Sequence, residues 1–161
     1  SDYTASILAA ALNAEELQIW TDVSGMYTSN PKIVSQARPI NYMSYEEALE
    51  FSHFGAKVIY PPTIQPVLSS NIPILIKNTL HPNDLGTSIS NKKTINDVGV
   101  KGISNIDNIA LLTLQGNGMV GVPGFSKRLF GTLSQEKINI ILITQASSEH
   151  AICVAIQQND V

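Results

Sequence analysis

The chain has 161 residues, enough for one ordinary domain or two small ones, so it can bury a core without disulfide or metal staples. Residues 1–80 hold four basic and seven acidic side chains and residues 81–161 hold six of each, a net charge of −3. With no basic stripe and only two arginines, Arg38 and Arg128, nucleic acid is set aside as a partner. The lone Cys153 can make neither an intrachain disulfide nor a zinc site, and a reducing compartment is the simpler reading. No apolar run is long enough to span a bilayer and no signal segment opens the chain, so a soluble, cytoplasmic protein without membrane partners is expected. The start at Ser1-Asp2-Tyr3, without methionine and straight into a helical pattern, points to a piece of a longer protein.

Residues 3–14 place Ile7, Leu8, Ala11 and Leu12 on one helical face among alanines, which predicts a buried helix. LQIWTD at 17–22 reads as a short strand that hands Thr21 and Asp22 to the loop VSGMYTSNPK. Ser44-Tyr45-Glu46-Glu47 is a capping box opening a helix to about Gly55. A short helix started by Pro62 covers 63–70, and IPILIKN predicts a strand at 73–78 buried on both faces. Residues 81–97 are poor in apolar side chains and rich in turn formers, so a linker is placed there between domains 1–80 and 98–161.

Beyond the linker, strands are expected at 98–104, 109–115, 139–146 and 150–157, with a helix at 125–137 after the glycine-rich loop 116–124. The last two strands, joined by Ser-Ser-Glu, form a hairpin. The order β, α, β, β is most of a ferredoxin-like unit without its closing helix and strand. The fold class is α/β, with an incomplete βαββ domain behind a helix–strand alternating half.

GNGMVG at 116–121 fits a dinucleotide fingerprint, but Val122-Pro123-Gly124 separate it from the helix and the following hairpin breaks the parallel βαβ order. What remains is a loop whose glycines allow close backbone approach, leading to the free amides at Phe125 and Ser126, where a carboxylate is favoured. A tight turn alone accounts for those glycines equally well. Asp22 is a functional acid or a turn former, and Lys57 a phosphate clamp or a solvated surface group. His53, His81 and His150 have no metal-ligand spacing, and Tyr27, Tyr42, Tyr45 and Tyr60 read as core and rim packing.

The strings QIWTDVSGMYTSNPK and MSYEEALEFSHFGAKVIYPPTIQPVLSSNIPILIKNT resemble the C-terminal third of the aspartokinase kinase domain. VKGISNIDNIALLTLQGNGMVGVPGFSKRLFGTLSQEKINIILITQASSEHAICVAI resembles the ACT regulatory region behind it. VKGISN and LITQASSE look most like the threonine-sensitive type that is fused to homoserine dehydrogenase. The resemblance implies transfer of a phosphoryl group from ATP, with Mg2+, to the side chain of L-aspartate, giving 4-phospho-L-aspartate. It places Thr21, Asp22, Tyr27, Lys32 and Lys57 on the nucleotide, Ser1 and Asp2 on the substrate aspartate, and Asp2 and Lys57 in catalysis. Asn30 stands where an aspartate is common, and Lys32 stands where an arginine is. The resemblance also implies homo-oligomers paired through ACT units, with an amino-acid effector at the interface. The effector residues would be Asn117, Met119, Gly124 and Phe125 at the glycine loop and Asn139, Gln145 and Ser147 along the next strand. Threonine is the favoured effector and lysine the runner-up, since neither strand carries an acid for a distal ammonium. Alone, the segment is expected to be inactive as a kinase; the alternative is a free-standing amino-acid sensor without catalysis.

Overall fold

The structure is a computed structural model that describes residues 1–53, 55, 58–91, 99–116, 118, 122–145 and 151–161. The chain divides into two compact units, Ser1–Asn105 and Ile106–Val161.

In the first unit, α1 (Asp2–Ala11) leads by a short connection into β1 (Leu17–Thr21). The helix forms as expected, but it does not bury the expected face. Ser6 and Ala9 are inside, while Leu8 and Leu12 are 56% and 78% exposed. Small side chains let α1 lie close on α3 (Ile64–Ser69), and that close approach selects the alanine side over the leucine side. β2 (Tyr42–Met43) and α2 (Tyr45–His53) follow. The capping box forms as read: Ser44 Oγ accepts the Glu47 amide at 3.1 Å, and Glu47 Oε2 accepts the Ser44 amide at 2.7 Å. The Tyr45 hydroxyl donates to the Ile72 carbonyl at 2.5 Å, and burial pushes this phenol's pKa up. A 3-10 turn at Pro61–Thr63 runs into α3.

β3 (Ile74–Asn78) and β4 (Thr87–Ile89) complete a four-stranded mixed sheet of order β1-β3-β4-β2. β1 and β3 are parallel, with Thr21 opposite Asn78 at their carboxyl ends. β3 is not buried on both faces as expected: Ile74, Ile76 and Asn78 are buried, while Leu75 and Lys77 are half-buried. Lys77 lies over the Trp20 ring, 5.9 Å from its centroid, which covers that face with a cation on an indole. β4 falls inside the expected linker. Its Thr87 and Ile89 are buried against β3, and three residues of alternating burial carry too little signal to be seen among turn formers. The boundary lies after Asn105, beyond the expected 81–97. Of the strand expected at 98–104, residues 99–104 form none; instead the Ile103 amide bonds the Thr28 carbonyl and ties them to the first unit.

The second unit holds β5 (Ile109–Gln115), α4 (Phe125–Gln135), β6 (Ile140–Gln145) and β7 (Ala151–Gln157), with sheet order β5-β7-β6. β7 is antiparallel to both neighbours, so β5 and β6 run parallel with β7 between them, the split arrangement of a βαββ unit. Ile152, Val154 and Ile156 of β7 face Leu133 of α4, with Phe125, Leu129 and Phe130 packed around them. Leu111 and Leu142 flank Ala155 on the other side of the sheet, where they remain exposed. The hairpin turn at 146–150 lies outside the described residues.

Candidate functional site

In the first unit, Thr21, Asp22 and Asn78 stand at the carboxyl ends of the parallel strands β1 and β3, the position where ligands of open α/β sheets bind. β1 delivers Thr21 and the exposed Asp22, whose Oδ1 accepts the Thr21 hydroxyl at 3.2 Å. The connection at 12–16 reverses the chain and α1 packs on β1. The Ser1 hydroxyl donates to Asp2 Oδ1 at 3.0 Å.

The loop after Asp22 is held from inside. The amide of Met26 donates to Thr87 Oγ1 at 2.8 Å, and that hydroxyl donates to the Ile40 carbonyl at 2.6 Å. Asn78 Nδ2 donates to Ser24 Oγ at 2.9 Å, Ser24 donates to Asp84 Oδ2 at 2.5 Å, and Asn78 Oδ1 accepts the Leu80 amide at 2.9 Å. Gly25, at φ +103°, has no room for a side chain, since a Cβ would lie 2.3 Å from Thr87 Oγ1. These bonds tie the loop to the β3–β4 hairpin, which fixes the backbone that presents Asp22 and Tyr27.

Tyr27 pairs with Pro39 across the loop. Lys32 is exposed in a turn whose start is set by Asn30: its Oδ1 accepts the Lys32 amide at 3.0 Å and its carbonyl the Val34 amide at 2.9 Å. Asn30 therefore does the capping work of an aspartate here without its charge. Ser24, Asn78, Asp84 and Thr87 escaped the sequence reading. Their only local signals are a Ser-Gly pair inside the loop and an asparagine closing an apolar run. Lys57 lies outside the described residues.

In the second unit, Gly124 at φ +102° opens α4 without a side-chain cap, leaving the first-turn amides at Phe125 and Ser126 available to an anion. An open groove of about 620 Å³ runs along this helix, lined by Gly124, Phe125, Lys127, Arg128 and Gln135 among others. Arg128 lies over the Phe125 ring, 5.9 Å from its centroid. Gln115 and Gln145 end the two parallel strands on either side of the start of β7, at the end of the sheet from which the glycine loop departs. Gln145 is opposite Ile152 in register, so it stands on the face that carries α4. Asn139 precedes β6 at the opposite end, about 20 Å from Gln145 by strand rise. Within one chain, Asn139 and Gln145 therefore lie too far apart to grip the same small ligand. Asn117, Met119 and Ser147 lie outside the described residues.

A four-stranded mixed α/β sheet followed by a split βαββ unit defines an α/β segment joined to a small ferredoxin-like domain. The amino acid kinase family matches residues 1–78 and the ACT domain residues 112–161. The chain is 47% identical over its whole length to 20% of the bifunctional aspartokinase/homoserine dehydrogenase of Haemophilus influenzae. The solved structure of Escherichia coli aspartokinase III with aspartate and ADP, in its R-state, superposes with a TM-score of 0.81 at 36% identity, covering 97% of this chain and 34% of that one. The T-state structure with lysine and aspartate gives 0.78 at 36% identity, covering 98% and 35%. Over its whole length the chain is thus similar to aspartokinases, in the stretch that runs from an amino acid kinase match into an ACT match. It spans about a fifth of the bifunctional relative's length.

Proposed function

We propose that this chain is part of an aspartate kinase that transfers a phosphoryl group from ATP to L-aspartate and is inhibited by threonine. The observation that carries the kinase reading is the Thr21-Asp22 strand end beside Asn78, on a loop clamped by the β3–β4 hairpin, within a chain matching aspartokinases along its whole length. Thr21, Asp22, Tyr27, Lys32 and Lys57 would form one wall of the nucleotide site, and Ser1 and Asp2 the edge of the aspartate site. Phosphoryl transfer asks the protein for positioning and charge stabilisation, and a preorganised strand-end loop supplies the first. Among the described residues no three carboxylate, imidazole or thiolate groups converge. Mg2+ would thus arrive with the triphosphate, held largely by phosphate oxygens and water.

The effector would bind where α4 begins. The amides at Phe125 and Ser126 would take its carboxylate, and the Gln145 carboxamide its ammonium or hydroxyl. β5 and β6 carry no Asp or Glu, which favours threonine over lysine. Pairing of two ACT units would cover the exposed Leu111 and Leu142, and Asn139 would then act on an effector held by the other copy. A hydrogen bond to a charged group is worth about 1.5–3 kcal/mol. Gln145→Ala in the full-length enzyme is therefore expected to raise the threonine concentration for half-inhibition roughly tenfold or more. A variant that melts at a lower temperature but keeps the parental inhibition curve would make Gln145 a strand-end residue only.

A further inference from the structure

Residues 101–103 tie the first unit together at a telling place. Lys101 Nζ lies 2.8 Å from Glu47 Oε2, with 18% of the lysine side chain and 36% of the glutamate exposed. That same oxygen accepts the Ser44 amide, so Lys101 is bonded into the N-terminal cap of α2. Gly102 sits against the Thr28 carbonyl and the Phe51 ring so closely that a Cβ would lie 2.6 Å and 2.7 Å from them. The Ile103 amide donates to the Thr28 carbonyl at 2.8 Å. On its other side Thr28 is bonded twice to Arg38, its amide donating at 2.8 Å and its hydroxyl accepting at 3.0 Å. This strap thus holds the loop that carries Tyr27 and the N-terminal cap of α2. The second unit begins a few residues on, at Ile106.

We infer that residues 101–103 are a positioning strap through which occupancy of the ACT effector site is felt at the nucleotide loop, an inference that rests on the function proposed above. A ligand shifts an equilibrium only through contacts that differ between two states. The partly buried Lys101–Glu47 ion pair, the contact of Lys101 Nζ with the Tyr42 carbonyl at 3.5 Å, the Ile103–Thr28 hydrogen bond and the packing of Gly102 come from three consecutive residues outside any paired strand, and such contacts can be made in one state and broken in another. Loss of the strap strips the Thr28 carbonyl of its Ile103 partner and frees the loop bearing Tyr27 and Lys32. The consequence falls on nucleotide binding, hence on KM for ATP, and not on the chemical step.

The test uses the full-length aspartokinase carrying this segment, with Lys101→Met and Lys101→Arg, each assayed at several ATP concentrations with threonine or lysine titrated separately. Binding of the inhibiting amino acid is followed by calorimetry. Lys101→Met is expected to bind the amino acid within about twofold of the parent, yet to need at least about fivefold more of it for half-inhibition, with a raised basal KM for ATP and little change in kcat. Lys101→Arg, which keeps the ion pair, restores both. Should Lys101→Met fail to fold, Gly102→Ala carries the same expectation through the displaced Ile103 bond. Inhibition and KM equal to the parent in these variants, or an arginine variant that restores nothing, overturns the strap. A parent that makes no acyl phosphate overturns the functional reading instead.

Discussion

Gly86→Ala is expected to destabilise the first unit by about 3 kcal/mol or more, lowering its melting temperature by roughly 10–20 °C. Gly86 has φ +75°, and a Cβ built there would lie 2.0 Å from the Ile76 carbonyl oxygen. The obstacle is backbone of the central strand, so either β3 or β4 must move. The shift also displaces Thr87, whose hydroxyl links Met26 to Ile40. Gly131 is the internal comparison, because it lies within α4 with nothing within 4 Å of its added Cβ. Alanine there should stabilise by about 0.5–1 kcal/mol. Thermal unfolding of both variants decides: a Gly86→Ala chain that melts with the parent would mean the β3–β4 hairpin does not hold the loop.

Asp22→Ala carries the largest expected effect on activity, a fall of about a hundredfold in kcat/KM for ATP in the full-length enzyme. Asp22 is exposed and, among the described residues, bonded locally through Thr21, while the loop behind it is anchored by Ser24, Met26 and Asn78. The substitution should therefore leave the melting temperature within about a degree or two of the parent, as surface changes do. A carboxylate cannot stabilise the developing charge on a transferred phosphoryl group; its use is as an acceptor for nucleotide donors or as a partner for the cation the triphosphate brings. Asp22→Asn keeps most of the acceptor and loses the charge, so its position between parent and alanine variant tells which use dominates. Parental kinetics in Asp22→Ala would remove this residue from the nucleotide site.

Elements with a chemical marker were legible in the sequence. The capping box at Ser44–Glu47, the strand ending at Thr21 and the βαββ order of the second unit follow from local signals that the packed fold leaves in force. Where packing chose between two acceptable local answers, the reading failed. α1 has an apolar stripe, yet its alanine side is buried because only small residues let two helices approach so closely. β4 hides among turn formers because a three-residue strand paired on both sides needs no apolar run. The buried network of Ser24, Asn78 and Asp84 joins residues far apart in the chain, and no spacing rule reaches across that separation. In the effector half, Asn139 and Gln145 read in the sequence as parts of one strand, and only the strand's length and direction show that they stand about 20 Å apart at opposite ends of it.

The most direct measurement is acyl phosphate formation, trapped as the hydroxamate, from L-aspartate and MgATP by the full-length protein carrying this segment, with threonine and lysine titrated in parallel assays. The expected result is hydroxamate that forms without effector and falls away as threonine rises, while lysine at the same concentrations leaves it in place. No hydroxamate, or hydroxamate suppressed by lysine and untouched by threonine, would contradict the proposed function.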